Sequence, residues 1–225
     1  MPLAGKGMLV TSMNIDEANE PDFNRWYDRE HLEERVAIEG FLEARRYVAH
    51  AADPKYLSLY STATLDVLDS PAYRTRLANQ TEWSRRTMAH FKNMLRVVAR
   101  ITISKGSGRG AALGLVRLRP TADNAGAWRD ALQEKLAPET RDGIISMHLL
   151  ESEPELSGAT ADIPATRKEG ARDWFVLIDG THVGAVSAVI AERFTGPAAA
   201  PFPLPISVGT YSLMWDLAKS DIAHR

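Results

Sequence analysis

Apolar residues along the chain fall into short runs whose period switches between two and about 3.6 residues, and the switches mark out the elements. Residues 8–15 form a short apolar run that reads as a strand, ended by Asp16-Glu17-Ala18-Asn19-Glu20-Pro21. A helix is predicted over 22–38, with Gly40 as its stop. Strands follow over 41–50 and 56–64, joined by the turn chemistry of Asp53-Pro54-Lys55. Ser70-Pro71 is an N-cap with proline at the first helical position, and it opens a helix predicted to run to about Phe91. A fourth strand covers 95–104. Strand alternation puts Arg45 and Arg46 on opposite faces, and Arg96 and Arg100 together on the face opposite Leu95, Val97 and Ala99. The order is β-α-β-β-α-β, the split βαβ of ferredoxin-like folds.

Residues 105–110, rich in glycine, read as a flexible linker, and the same order then returns. Strands are predicted over 111–118, 143–151, 174–179 and 208–215, and helices over 124–136 and 183–194. The two halves share element order rather than residues. The second is less regular: it carries a polar loop over 152–172, long enough to suggest a lid, and a proline-rich stretch over 197–205 that suits neither helix nor central strand. Each half leaves one bare sheet face and is marginal in size alone. Packing the two together covers both faces. The expected class is α+β: tandem ferredoxin-like βαββαβ repeats forming one single-chain barrel. The expected division is 1–105 for the first half, 106–110 for the linker and 111–225 for the diverged second half.

The first helix carries the candidate chemistry. Phe23, Trp26, Tyr27, Glu30 and His31 recur at helical spacing and share a face, while Arg25, Asp28, Arg29 and Glu33 suit solvent. A stripe that mixes large aromatics with Glu and His toward a core is costly unless the ionisable groups are paired or used. Tyr27 and His31, at i and i+4, are expected to point together into the space between helix and sheet. His31 is the candidate general acid or base and Tyr27 the hydrogen-bond donor to a carbonyl or phenolic oxygen. Glu30 or Asp28 is a candidate to orient the imidazole. A strand arginine, Arg46 first among Arg46, Arg96 and Arg100, is a candidate to hold an anionic group, and Trp26 a cavity wall. The plain alternative makes His31 a satisfied core histidine capping the helix against a strand carbonyl. His148, mid-strand between Met147 and Leu149, must face core or cavity and is a second candidate binding residue. Trp83, Trp128, Trp174 and Trp215 read as packing residues, and His50, His90 and His224 as surface.

Composition narrows the classes. A net charge of −2 and a pI near 6.3 argue against a protein that coats nucleic acid or anionic membrane. No apolar run approaches the roughly 20 residues of a membrane span, and the first residues lack the apolar core of a signal peptide; a cytoplasmic protein is expected. The absence of cysteine removes thiolate nucleophiles, disulfides, zinc–thiolate sites and iron–sulfur clusters. No metal-ligand spacing and no strand-borne G-x-G-x-x-G is present, so neither a metal nor a nucleotide cofactor is expected.

At Trp26-Tyr27-Asp28-Arg29-Glu30-His31, followed by Gly40-Phe41 and Arg45-Arg46-Tyr47, the sequence resembles the dimeric α+β-barrel superfamily, and within it EthD-like and related uncharacterised proteins. Asn79-Gln80-Thr81-Glu82-Trp83-Ser84 is similar to a segment of that group's second helix. The motifs lie within residues 7–104; the second half is matched by element order alone. The resemblance implies a cavity between helices and sheet or in the barrel mouth. Known activities of the superfamily include cofactor-free oxygenation, dehydration, isomerisation and haem chemistry. The function expected is therefore a small-molecule-binding barrel, a cofactor-independent enzyme acting on a carbonyl-bearing or aromatic compound. A non-catalytic binding or accessory protein is the alternative, and a haem protein a remote one. A further homodimer is compatible with the fold.

Overall fold

The structure is a computed structural model describing residues 3–158 and 170–222. Eight strands close into a fully antiparallel barrel: β1 (Gly7–Asn14), β2 (Phe41–Ala51), β3 (Tyr56–Thr62), β4 (Lys92–Gly106), β5 (Ala112–Leu118), β6 (Ile144–Ser152), β7 (Trp174–Gly180) and β8 (Ser207–Ala218). Their order around the barrel is β1-β3-β2-β8-β5-β7-β6-β4, closing on β1. The arc β4-β1-β3-β2 comes from the first ferredoxin-like unit, and the arc β8-β5-β7-β6 repeats the same order from the second. They are joined where β2 meets β8 and β6 meets β4. Closure leaves no sheet edge unpaired, and this is the tandem ferredoxin-like α+β architecture expected from the sequence.

Among the described residues seven α-helices lie outside the barrel: α1 (Glu20–Trp26), α2 (Leu32–Ala37), α3 (Pro71–Ala78), α4 (Glu82–Met88), α5 (Ala125–Lys135), α6 (Val183–Ile190) and the short α7 (Lys219–Ile222). Most strands bury one row of side chains inward and the other under helices, whereas β8 is largely half-buried and leaves Val208 and Met214 exposed. Met8, Val10, Leu57, Leu59, Val97, Leu113 and Leu177 fill the lumen. Leu9, Met13, Tyr56, Tyr60, Met94 and Val98 pack under the helices of the first unit, and Val116, Met147, Val176 and Ile178 under those of the second. Burial on both faces explains why β1 and β7 read as nearly continuous apolar runs.

Three differences from the sequence reading have local causes. The helix expected over 22–38 is broken by a π turn over Tyr27–His31 that separates α1 from α2. The helix expected to run from Ser70 to Phe91 ends at Ala78 and restarts at Glu82. Ser70 caps α3 by accepting from the Tyr73 amide, as predicted, but Thr81 caps a second start by accepting from the Ser84 amide. The cap competes with helix continuation and wins. The linker, in turn, is held rather than free: Arg109 donates to Glu43 Oε2 at 2.6 Å, Ser146 Oγ donates to the Gly108 carbonyl at 3.1 Å, and the Gly110 amide reaches Asp179 Oδ1 at 3.4 Å. Gly40 does serve as the stop after α2. It sits at φ +84°, and a Cβ there would lie 2.4 Å from a Val67 methyl. In the proline-rich stretch only Pro197–Ala199 forms a 3₁₀ turn. Most of the polar loop over 152–172, namely residues 159–169, lies outside the described residues, as does His224; His50 and His90 are exposed.

Candidate functional site

The π turn is where the first helix becomes a site. The Leu32 amide donates to the Tyr27 carbonyl, five residues back, so the turn holds one residue more than an α-helical one. The widened turn leaves Tyr27, His31 and Arg35 buried in one column against the sheet, while Glu30 moves to the half-buried edge. Arg25, Asp28, Arg29 and Glu33 are outward or near-surface, as the pattern predicted.

Tyr27, His31 and Arg35 line a small cavity of about 40 Å³ between this helix, the sheet and the α3–α4 pair. Its floor is Leu9, Thr11 and Met13 of β1, Tyr60 of β3, and Met94 and Arg96 of β4; Tyr73, Leu77, Met88 and Phe91 close it from outside. The volume holds about three waters. Leu77 and Met88 are only half-buried and form the outer wall.

What sets the cavity apart is its hydrogen bonding. Thr11 Oγ1, His31 Nδ1, Arg35 Nη1 and Tyr60 OH are buried, line the cavity and have no partner of acceptable geometry among the described residues, although the Tyr60 hydroxyl lies beside those of Tyr27 and Ser58. Ser58 Oγ and Arg46 Nε, beside them in the sheet, are also unpartnered. Strand register explains the concentration. Arg96, Thr11, Ser58 and Arg46 lie side by side across β4-β1-β3-β2, so four polar side chains form one row beneath the helices. Buried polar groups are normally satisfied, because each one left unpaired costs about 1–3 kcal/mol. Here several of them meet around one space.

Electrostatics follows from the same burial. His31 stacks on Trp26 with ring centroids 4.1 Å apart and meets Tyr27 edge-on at 5.0 Å. Burial, with Arg35 and Arg46 nearby, holds its pKa well below 6.5, so the ring is neutral at pH 7. Burial, reinforced by the neighbouring Tyr27 phenol, raises Tyr60 well above 10. The Tyr27 hydroxyl has one weak contact, to Met13 Sδ at 3.9 Å. His31 Nδ1 thus lacks, among the described residues, the carbonyl partner that a satisfied core histidine calls for.

The remaining candidates are placed as follows. Trp26 is fully buried behind His31. The Glu30 carboxylate accepts from Trp26 Nε1 at 3.1 Å, Thr81 Oγ1 at 2.6 Å and Ser84 Oγ at 3.1 Å, which ties the π turn to the start of α4. It has no bond to the imidazole. Arg46 is fully buried over the Tyr27 ring at 4.2 Å, and donates to Asp28 Oδ1 at 3.1 Å and Asn24 Oδ1 at 2.5 Å. Its charge is already matched. His148 lies elsewhere, inside the lumen, with Nδ1 2.9 Å from Ser104 Oγ and Nε2 3.0 Å from Ser146 Oγ. The structure thus joins Tyr27, His31 and Trp26, and separates His148 from them. Arg35 and Tyr60 were not singled out from the sequence. Arg35 extends the i, i+4 series from Tyr27 through His31, which is the signal that would have found it.

A larger hollow of about 210 Å³ opens at one barrel mouth near Leu95, Leu115, Phe175 and Tyr211, but none of its lining side chains is both buried and unpartnered. Among the described residues no group of three or more His, Asp or Glu is placed to hold a metal ion, and no helix is long and apolar enough to cross a membrane.

Solved structures of similar shape span the whole chain. An anthrone oxidase-like protein superposes with a TM-score of 0.62 at 10% identity, covering 97% of each chain. A putative monooxygenase from Lactobacillus acidophilus gives 0.58 at 10% identity, over 96% of this chain and 97% of its own. A heme-binding protein from Thermus thermophilus gives 0.53 at 12% identity, over 98% and 94%. The chain has the dimeric α+β-barrel fold. No protein-family model and no curated protein sequence matches it. At such identities the shared property is the fold, with both units of the barrel supplied by one chain.

Proposed function

We propose that the cavity between the first helix and the sheet binds a small carbonyl-bearing or aromatic molecule, and that His31 and Tyr27 carry out proton transfer on it. The observation that carries this reading is the cluster of four unpartnered polar atoms, from Thr11, His31, Arg35 and Tyr60, around one buried space. A neutral imidazole with Nδ1 unpartnered takes a proton from an acidic C–H or O–H of the ligand. As that bond breaks, the electron pair moves onto the carbonyl or phenolic oxygen, where the Tyr27 hydroxyl donates to it. Burial makes His31 a weak base in the empty cavity; the negative charge that forms beside it offsets the field of Arg35 and Arg46. Trp26 fixes the plane of the ring. Isomerisation, dehydration and reaction of an electron-rich ring with oxygen all begin with such a step, and the anthrone oxidase-like and monooxygenase neighbours are compatible with the last.

A haem reading is not supported by this chain's residues. Both ring nitrogens of His148 are engaged by serines inside a filled lumen, and the His31 cavity of about 40 Å³ is far below the roughly 300–1,000 Å³ of cofactor sites.

The test is solvent-deuterium exchange at the acidic carbon of a panel of small ketones, keto acids and phenols, followed by NMR with wild-type protein and His31→Gln. Exchange with wild type that disappears in a folded His31→Gln supports proton transfer. Ligands that shift the His31 resonances without any exchange would instead make the protein a binder.

A further inference from the structure

Resting on that reading of the cavity, we propose that its ligand is an anion, with a planar carboxylate, enolate or phenolate oxygen seated on the guanidinium of Arg35. Arg35 is 4% exposed and its Nη1 is unpartnered. Its one hydrogen bond is a long one, 3.4 Å from Nη2 to the neutral Gln80 side-chain oxygen. No carboxylate of the described residues forms an ion pair with it. The helix carboxylates on that side bond elsewhere: Glu30 to Trp26, Thr81 and Ser84, and Glu34 to Arg76 at 3.5 Å, so that Glu34 reaches Arg35 through the field alone and leaves its open N–H without an acceptor.

Arg96, also 4% exposed, strengthens the case. It donates to the Leu156 carbonyl at 2.8 Å and to the Tyr73 hydroxyl at 3.2 Å, both neutral acceptors. The cavity therefore has two buried guanidinium groups on its wall and no acidic lining residue. A buried cation is tolerated when a counter-charge or a full set of acceptors meets it. Arg46 shows the charge-paired form in the same chain, fully buried and paired with Asp28 at 3.1 Å, though its Nε is open. Arg35 has the burial without the partner, and its open N–H faces the space where Thr11 Oγ1 and Tyr60 OH also lack bonds. A planar oxyanion supplies the charge and several acceptor lone pairs at once. The cavity of about 40 Å³ holds the oxyanion head alone, and an apolar remainder needs Leu77 and Met88, half-buried at the outer wall, to swing outward, which the flexible methionine allows.

The inference assigns Arg35 the anion-anchoring role that the sequence had offered to Arg46. It also fits the chemistry above: an oxyanion on Arg35 offsets the charge that keeps the neighbouring imidazole unprotonated.

Benzoate and benzamide, nearly equal in shape and differing in charge, are the probes; binding is read from His31 and Tyr60 NMR shifts and from calorimetry. Wild type is expected to prefer benzoate at least tenfold, Arg35→Lys to keep most of that preference, and Arg35→Gln to reduce it to near parity with the fold intact. Phenols of graded acidity then separate carboxylate from phenolate recognition, because only the latter tightens as the phenol ionises. Equal binding of benzoate and benzamide at the cavity, or a preference unchanged in Arg35→Gln, would overturn the anion assignment while leaving a small-molecule site standing. Absence of any shift at His31 and Tyr60 with every probe would overturn both.

Discussion

The barrel lumen and the space under the first helix each bury a histidine, arginines and hydroxyls, and they treat them in opposite ways. In the lumen Arg45 donates to Glu43 at 2.9 Å and approaches Asp179 at 3.5 Å. Arg109 closes the same network from the barrel end by pairing with Glu43 and Asp216. His148 has a serine on each ring nitrogen. Every charged group there meets an opposite charge. Under the helix, Arg35 makes no ion pair among the described residues, feeling the Glu34 charge only at a distance, and one ring nitrogen of His31 is bare. Residue types and depth are nearly the same, so neither polarity nor burial separates the two regions; the pairing of charged groups does, since even in the lumen the Tyr47 hydroxyl is open while each charge is matched. The lumen network specifies how the two units meet, since its members come from β2, β6, β7, β8 and the linker. The helix-side row lies within one unit and is left incomplete.

The sharpest way to break this contrast is to remove one arginine from each region. Arg45→Ala leaves Glu43 and Asp179 buried with a single counter-charge at the rim, and is expected to lower stability by about 3–5 kcal/mol. Arg35→Ala removes a buried charge that has no protein partner. Its loss is expected to stay within about 1 kcal/mol, the packing of its stem offsetting the relief. Guanidinium unfolding midpoints of the two variants measure both. Comparable losses would mean that Arg35 is structurally paired after all.

Acid sharpens the comparison less strongly and hits both regions. Burial and Arg45 depress His148 to about 3, and His31 also lies well below its ordinary 6.5. In each case the unfolded chain takes up the proton first as pH falls. Stability is thus complete above about pH 6.5 and declines below it, down to the folded-state pKa. The slope approaches about 1.4 kcal/mol per pH unit for each histidine. Asp179, raised by burial, works in the opposite sense near its own range. His148→Gln and His31→Gln should each remove about half of the decline between pH 6 and pH 4. A saturating anion should flatten only the part that belongs to His31, because a charge on Arg35 raises the folded-state pKa of that ring alone. If neither variant changes the slope, the two imidazoles are not buried as described.

The fold was legible because it is written in periods. Alternation identified the eight strands to within a few residues, and the aromatic stripe from Phe23 to His31 located the helix that matters. What escaped was set by local hydrogen bonds and by register. The π turn at Tyr27–His31 moved Glu30 from the inner face to a strut for α4, because one extra residue in a turn shifts everything after it. Thr81 ended a helix that composition alone would continue. Arg46 has the inward direction that alternation gave it, but Asp28 on the turn above consumes its charge. Arg35 was passed over because a lone arginine near a helix end reads as solvent-facing. The row Arg96-Thr11-Ser58-Arg46 exists only once four strands are laid side by side, and no single segment contains it.

The smallest expected effect is also the most diagnostic. Tyr60→Phe removes a hydroxyl that is buried, unpartnered and aimed at the cavity. Deleting a satisfied buried hydroxyl costs about 0.5–1.5 kcal/mol, whereas deleting an orphaned one returns part of its desolvation cost. The apo protein should therefore keep its stability or gain up to about 1 kcal/mol. Tyr73→Phe, which breaks the 3.2 Å bond to Arg96, should lose a comparable amount. Thermal unfolding of the two variants side by side gives the sign of each. If Tyr60→Phe is also the variant that weakens benzoate binding while Tyr73→Phe spares it, the hydroxyl is held in place for a ligand and not for the fold. A loss of stability in Tyr60→Phe equal to that in Tyr73→Phe would mean that the phenol already has its partner, and the contrast between the two regions would narrow to Arg35 and His31.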